Sequence, residues 1–352
     1  MHNSSSTRET VQQYYGKILR DSSDLRTSTC CSMDDLAPRH REILSLLEDE
    51  IIEKFYGCGS PIPDAIEGCT VLDLGCGTGR DAYLVSSLVG TNGRVIGIDM
   101  TEEQLIIARK HIGVQTERFG YARPNVEFRH GYIEDLADAG IADNSIDVVI
   151  SNCVVNLSPD KRAVFSEIFR VLKPGGELYF SDIFAGRRVP EYLRKDPVLY
   201  GECLSGAMYV EDFRRLLRDC GCPDYRVVSS RSVSLDDEEV KRKAGMIDFY
   251  SLTIRAFNID TLEDICEDYG QVAYYLGTIP GAPHEYIFDD HHVFETGRPT
   301  LVCGNTAAML SETRFAPHFR VTGDRSVHYG PFDCGACSSP GDDDTRVISG
   351  CC

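Results

Sequence analysis

The sequence predicts an α/β protein built on a doubly wound sheet, with a helical cap before it and a smaller α+β domain after it. Three observations carry that reading. From residue 70 to about 235, short apolar β-rich runs alternate with segments of helical periodicity, the order that yields a largely parallel sheet covered on both faces. The first such run passes directly into a glycine-rich stretch, VLDLGCGTGRDAYLV (71–85), and then into a helix. The second run, RVIGID, ends on Asp99, about 20 residues beyond those glycines, where a sheet of this kind presents a carboxylate to a ribose.

In chain order, residues 1–62 form the cap, 63–235 the sheet domain, 236–330 the α+β domain and 331–352 a mobile cysteine-containing tail. The cap holds helices over 8–20 and 38–56; in the second, Leu44, Leu47, Ile51 and Phe55 recur at three- and four-residue spacing. The strands are VLDLG, RVIGID, NVEFRHG, IDVVIS and GELYFSD. Thr101 and Gln104 read as a capping box opening the helix EEQLIIARKHI. Pro174, Gly175 and Gly176 end the helix KRAVFSEIFRVLK and return the chain to the sheet. The run DDEEVKRK reads as a solvated linker or helix face, and the Gly-, Ser- and Asp-rich end reads as mobile.

Composition excludes several functions. The chain has 352 residues, 42% hydrophobic and 26% charged, ordinary for a globular protein large enough for two cores. Its net charge of −19, from 36 basic and 55 acidic residues, repels polyphosphate and anionic lipid, so nucleic acid is not the expected partner. No apolar run approaches the roughly 18 residues of a membrane helix, and the N-terminus has no apolar leader core. A cytoplasmic monomer is expected. Fifteen cysteines in such a chain point to thiol chemistry rather than to a disulfide scaffold.

The glycine loop, with Gly75, Gly77 and Gly79, allows a tight turn and close approach of a ligand at the carboxyl edge of the sheet. Its G-x-G-x-G spacing departs from the dinucleotide fingerprint and resembles the S-adenosylmethionine loop of class I methyltransferases, whose Rossmann-like fold the strand order also matches. Asp99 can accept both ribose hydroxyl protons, Met100 follows it, and Asp73 in the first strand orients the loop and the cofactor's amino group. By the same resemblance Ile133 and Glu134 lie near the adenine and Asn152 lies at the end of the fourth strand.

The cysteines sharpen the resemblance. DLRTSTC (24–30), FYGCG (55–59), GRDAY (79–83), GIDMT (97–101), HGYIEDL (130–136), SNCVVNL (151–157), KPGGELYFSD (173–182) and GECLSGA (201–207) together resemble the arsenite S-adenosylmethionine methyltransferase family. The likeness continues more thinly through HEYIFDDHHVFETG and NTAAMLSETRFAPHF into the tail. It implies that Cys58, Cys153 and Cys203 bind arsenic and that Cys30 is a fourth functional thiol, although Cys31 beside it leaves the choice between the two open. Topology agrees for Cys153, which ends a strand at the ligand-binding edge.

Soft thiolates select a thiophilic centre. Three sulfurs around trivalent arsenic leave a lone pair to aim at a sulfonium methyl, so alignment supplies the catalysis and no general base is required. His130, the nearest candidate base, is expected to be structural. Methyl transfer oxidises arsenic formally; a Cys30–Cys58 pair is the expected internal reductant, reopened by thioredoxin or glutathione as the external thiol, and detoxification is the implied role. Cys69, Cys76, Cys220 and Cys222 are expected to be packing or cap residues. CGAC (334–337) reads as a mobile thiol pair that hands arsenite over. Two rivals are a methyltransferase for a small quinone- or sterol-like acceptor and a non-enzymatic thiol sink.

Overall fold

The structure, a computed structural model, describes residues 36–53, 57, 59–194, 196, 199, 204–235 and 237–334. Its frame is one large sheet. Strands β1 (Thr70–Leu74), β2 (Arg94–Asp99), β3 (Val126–His130), β4 (Ile146–Asn152) and β5 (Leu172–Ala185) occur where the apolar runs predict them. They pair in parallel in the order β3-β2-β1-β4-β5, with Leu72 opposite Ile96 on one side and Val149 on the other. Helices cover both faces, so the central strands are apolar on both sides rather than alternating. Leu72 and Leu74 pack with Phe165, Phe180 and Phe213 beneath one face, while Val71 packs with Tyr83, Leu84 and Leu105 beneath the other.

Beyond β5 the sheet becomes mixed. After the short β6 (Met208–Tyr209), strands β7 (Tyr225–Ser232) and β8 (Phe249–Phe257) complete the order β5-β8-β7, with β8 antiparallel to both neighbours. The sheet thus continues past residue 235, where the sequence alternation fades. The chain then forms β9 (Glu267–Asp268), β10 (Gln271–Tyr275), β11 (Glu285–Ile287), β12 (Val293–Glu295), β13 (Pro299–Val302), the helix Gly304–Ser311, β14 (Phe319–Thr322) and β15 (Gly330–Pro331). These surround a second core rich in aromatics, including Tyr275, Phe288, Phe294, Phe315 and Phe319.

Three local expectations are revised. The helix over 38–56 is two short helices, Pro38–Leu44 and Asp49–Ile52, because Glu48 takes an extended backbone (φ −68°, ψ 141°) and restarts the chain. Thr101 does occupy the N-cap before Glu102, yet it forms no side-chain cap; its hydroxyl is drawn to Asp99 instead. Pro174, Gly175 and Gly176 do not stop the preceding helix, which ends at Val171; they form a bulge inside β5, between the pairings Leu172–Ile146 and Glu177–Val148. Gly175 is required there, since its φ is +75° and a Cβ would lie 2.3 Å from Glu312 O. The helix expected over 8–20 lies outside the described residues, as does the tail beyond Cys334.

One buried ion cluster joins the sheet to the second core. Glu177 on β5 is fully buried and faces Arg255 Nε of β8 at 2.8 Å, off the hydrogen-bond line, and it also pairs with Arg314, which follows the helix Gly304–Ser311. The Arg255 guanidinium lies 4.2 Å from the ring centroid of Phe288 in the second core. Removing one partner of a buried pair strands the other charge, which costs about 3–5 kcal/mol. Glu177→Ala is therefore expected to lower the unfolding free energy by about that amount in denaturant titration; a loss below about 1 kcal/mol, the range of exposed pairs, contradicts the assignment.

Candidate active site

The parallel strands end along one edge, and a cleft opens there between the glycine loop and the turn after β4. The loop is tied back to β2: Gly75 N and Cys76 N both donate to Ile98 O, at 2.8 and 3.0 Å. At Gly75 (φ +70°) a Cβ would fall 2.3 Å from Val154 Cγ2, so only glycine lets the loop lie against the β4 turn. Gly77 (φ +53°) would meet nothing within 4 Å, leaving bare backbone facing the cleft. Gly79 is not on the cleft wall; it precedes the helix Arg80–Val89 and packs against Phe128.

Carboxylates dominate the floor. Asp99 accepts Gly77 N at 2.9 Å and Thr101 N at 2.8 Å, bonds that hold the loop to the end of β2. Burial nevertheless pushes its carboxyl above the usual range, the two amides and the Thr101 hydroxyl opposing that shift. Asp73, only 3% exposed, is pushed well up, first by burial and then by Asp81 and Asp99. Its Oδ2 has no hydrogen-bond partner among the described residues. An orphaned buried carboxylate oxygen beside two further carboxylates is a receptor for a cationic donor, which would satisfy it and relieve the mutual repulsion. Met100, Ile133 and Glu134 line the same cleft, with Glu134 accepting the Ser158 hydroxyl at 2.7 Å. His130 sits outside, its Nε2 3.1 Å from Met100 O.

Asn152, at the end of β4, ties the far wall together. Its Oδ1 accepts Gly59 N at 3.2 Å, and its Nδ2 donates to Gly59 O and to Asp81 Oδ2, both at 2.9 Å. Asp81 is in turn paired with Arg80 at 2.9 Å. Gly59 is packed so closely on β5 that a Cβ would lie 2.3 Å from Ser181 Cβ. Sequence reasoning assigns Asn152 to the cofactor but misses Asp81 and this clamp; the available signal is the Asp of GRDAY, one residue into the helix after the glycine loop.

Cys153 follows Asn152 in a left-handed conformation (φ +57°), held by its N–H to Ser181 O at 2.9 Å. Such a backbone costs a non-glycine residue of order 1–2 kcal/mol and tends to mark functional positions. The side chain is buried and disulfide-bonded. A 3₁₀ turn, Val155–Leu157, comes next. Asp182 anchors it, accepting Asn156 N at 3.0 Å and Asn156 Nδ2 at 2.7 Å; burial pushes this carboxyl up to about 7. Gly206 presses on the same turn, where a Cβ would be 2.1 Å from Asn156 O, and Leu204 and Ala207 share the apolar cluster of Cys153.

The cleft thus unites Asp73, Gly75, Gly77, Asp99, Met100, Ile133, Glu134, Asn152 and Cys153. Cys30, Cys31, Cys58, Cys203 and Cys337 lie outside the described residues. Cys76 is buried on the cleft wall, and Cys69 is half-buried. Cys220 stands at the C-cap of the helix Val210–Asp219, and Cys222 points its Sγ at Asp224 O, 3.2 Å away.

A family described as "Methyltransferase domain" matches residues 66–221, and one described as "Arsenite methyltransferase C-terminal domain" matches residues 268–343. An arsenite methyltransferase of Aquipseudomonas alcaligenes is 53% identical, over 93% of this chain and 94% of its own length. That of Mus musculus is 43% identical, over 89% and 82%. The crystal structure of an arsenic(III) S-adenosylmethionine methyltransferase from Chlamydomonas reinhardtii is 51% identical and superposes with a TM-score of 0.83, covering 85% of this chain and all of that one. No helix among the described residues is long and apolar enough to cross a membrane.

The clamp is testable without any ligand. Asn152→Ala removes the two hydrogen bonds that hold Gly59, and hydrogen exchange at the Gly59 amide is expected to speed up by about tenfold to a hundredfold, as for the loss of about 1.4–2.8 kcal/mol of local protection. Unchanged exchange contradicts the clamp.

Proposed function

The chain belongs to the arsenite methyltransferase family and methylates arsenite with S-adenosylmethionine as donor; on that premise we propose that Cys58, Cys153 and Cys203 hold the arsenic and that a protein thiol pair including Cys58 restores it between rounds. The observation that carries this reading is the packing around the Cys153 turn. Gly59, next to Cys58, is hydrogen-bonded to Asn152, next to Cys153. The segment just after Cys203 leans on Asn156 of the same turn. Two distant stretches of chain therefore meet the turn at one strand end, with Cys58 one residue and Cys203 three residues in sequence from the contacting Gly59 and Gly206.

The donor supplies, when bound, an electrophilic methyl on a sulfonium. The chain's part is to bind and aim. Asp73 offers the orphaned Oδ2 to the donor's cationic end, Asp99 receives the ribose hydroxyls, and Gly75 and Gly77 leave backbone room for close approach. Ile133 and Glu134 are assigned to the adenine. Three thiolates on trivalent arsenic displace its oxygens and leave one lone pair, and the fold's task is to present that pair along the line of displacement. No side chain has to take a proton from the nucleophile, which is consistent with His130 being spent on Met100 O.

Forming the carbon–arsenic bond draws on the arsenic lone pair and leaves arsenic formally pentavalent. Two electrons return it to the trivalent state, and two protein thiols that close into a disulfide, Cys58 with Cys30 or Cys31, supply them. Thioredoxin or glutathione then reopens the disulfide by exchange. Cys153 is disulfide-bonded, so on this reading its reduction precedes arsenic binding. Repeated rounds would give mono- and dimethylated products, and arsenic detoxification by a cytoplasmic monomer is the role that follows. A quinone- or sterol-like acceptor would need an apolar pocket where this reading places thiols, and an inert thiol sink would need no donor site.

Arsenic speciation after incubation with arsenite, S-adenosylmethionine and an external thiol tests the reading. Cys58→Ser, Cys153→Ser and Cys203→Ser are each expected to lower transfer by about a hundredfold or more, since alignment is lost, with donor affinity by calorimetry within about threefold of the parent. The double variant Cys30→Ser, Cys31→Ser should complete one round and then stall. Full transfer in any of the three single variants, or sustained turnover in the double variant, refutes the assignment concerned.

A further inference from the structure

Cys266 and Cys303 lie together in the second core, and the chemistry above uses neither. They are 3% and 1% exposed. Cys303 is the N-cap of the helix Gly304–Ser311; its Sγ accepts Thr306 N at 3.4 Å and lies 3.2 Å from the Thr306 hydroxyl. Arg226 reaches in from β7, its Nη2 3.7 Å from Cys303 Sγ and its Nη1 4.0 Å from Cys266 Sγ. The two thiols are hydrogen-bonded to each other.

A guanidinium, a helix N-terminus and two local donors thus converge on one sulfur, the surroundings that favour thiolate. The Cys303 thiol is held well below the ordinary range, first by the hydrogen bond from Cys266 and then by the Arg226 charge and Thr306, against the opposing effect of burial. Cys222 shows the contrary case: burial pushes its thiol up to about 12.

We propose that Cys303 and Cys266 form a peroxide-responsive dithiol, with Cys303 as nucleophile and Cys266 as resolving thiol, separate from the thiols of methyl transfer. The Cys303 thiolate attacks one oxygen of hydrogen peroxide, the O–O bond breaks, and the departing hydroxide is protonated to water. Cys303 is left as a sulfenic acid. The Cys266 sulfur then displaces the sulfenic oxygen, which leaves as water with the Cys266 proton, and the sulfur–sulfur bond forms. Two thiol sulfurs are oxidised by two electrons in all and one peroxide is reduced.

Burial favours this reading over capture of an arsenical between the same sulfurs, because a disulfide adds no heavy atom to a packed core, whereas a bridging arsenic must be accommodated. Loss of the thiolate does not strand Arg226, which keeps Asp224 at 2.8 Å and Asp289 at 4.0 Å.

The full chain, reduced and desalted, is treated with one equivalent of hydrogen peroxide, quenched with N-ethylmaleimide in denaturant, and mapped by non-reducing peptide mass spectrometry. A Cys266–Cys303 cross-linked peptide is expected to form about tenfold or more faster than Cys222 is oxidised, and to revert with dithiothreitol. Cys303→Asp keeps an N-cap acceptor and a negative charge beside Arg226; it should stay folded by circular dichroism and leave Cys266 unoxidised under the same conditions. Recovery of both cysteines as free thiols overturns the proposal, as does oxidation of Cys266 at the parental rate in Cys303→Asp. An arsenic-bridged pair formed with arsenite, with no peroxide-driven cross-link, overturns it in favour of a second arsenical site.

Discussion

The carboxamide of Asn152 is the constraint on which the site depends. With one acceptor and two donors it holds both backbone groups of Gly59 and the carboxylate of Asp81, so three segments that are remote in sequence are bound at the end of β4. Each hydrogen bond is worth only about 1 kcal/mol net. Their value lies in what they position: Gly59 on one side, the first residues of the helix after the glycine loop on the other, and Cys153 immediately beyond. The left-handed Cys153 backbone is held by this clamp on the residue before it and by its own N–H on Ser181 O.

Charge and burial divide the work of the cleft. One wall gathers Asp73, Asp81 and Asp99, and burial pushes the carboxyls of Asp73 and Asp99 up, so that wall is a receptor for a positively charged group. The other wall is sulfur and apolar, with Cys153 packed among Ile183, Leu204 and Ala207. On the proposed assignment, the acidic wall takes the cationic donor and the sulfur-bearing wall takes the arsenic, so chemistry would sort the two reactants before geometry aligns them.

Much of this was legible in the residues. The five parallel strands appear as apolar runs because burial on both faces removes alternation, and the glycine loop with Asp99 announces a ribose-bearing ligand at the sheet edge. The antiparallel extension was less visible, since β7 and β8 each carry a buried arginine, Arg226 and Arg255, whose neutralising partners include remote residues such as Asp289 and Glu177. Thr101 looked like a cap because sequence spacing shows a possible partner but not a competing one, and Asp99 takes the hydroxyl. The Asn152 clamp left only the Asp of GRDAY as a local trace: hydrogen bonds spanning more than seventy residues belong to the fold, not to any local pattern. The same holds for Cys266 and Cys303, which become a pair only when the second core closes.

Arsenic K-edge X-ray absorption on the reduced protein loaded with one equivalent of arsenite probes the coordination at the centre of this account directly. Three sulfur neighbours and no oxygen are predicted, falling to two sulfurs with an oxygen in Cys153→Ser. An arsenic centre bound mainly by oxygen in the parent protein would contradict it.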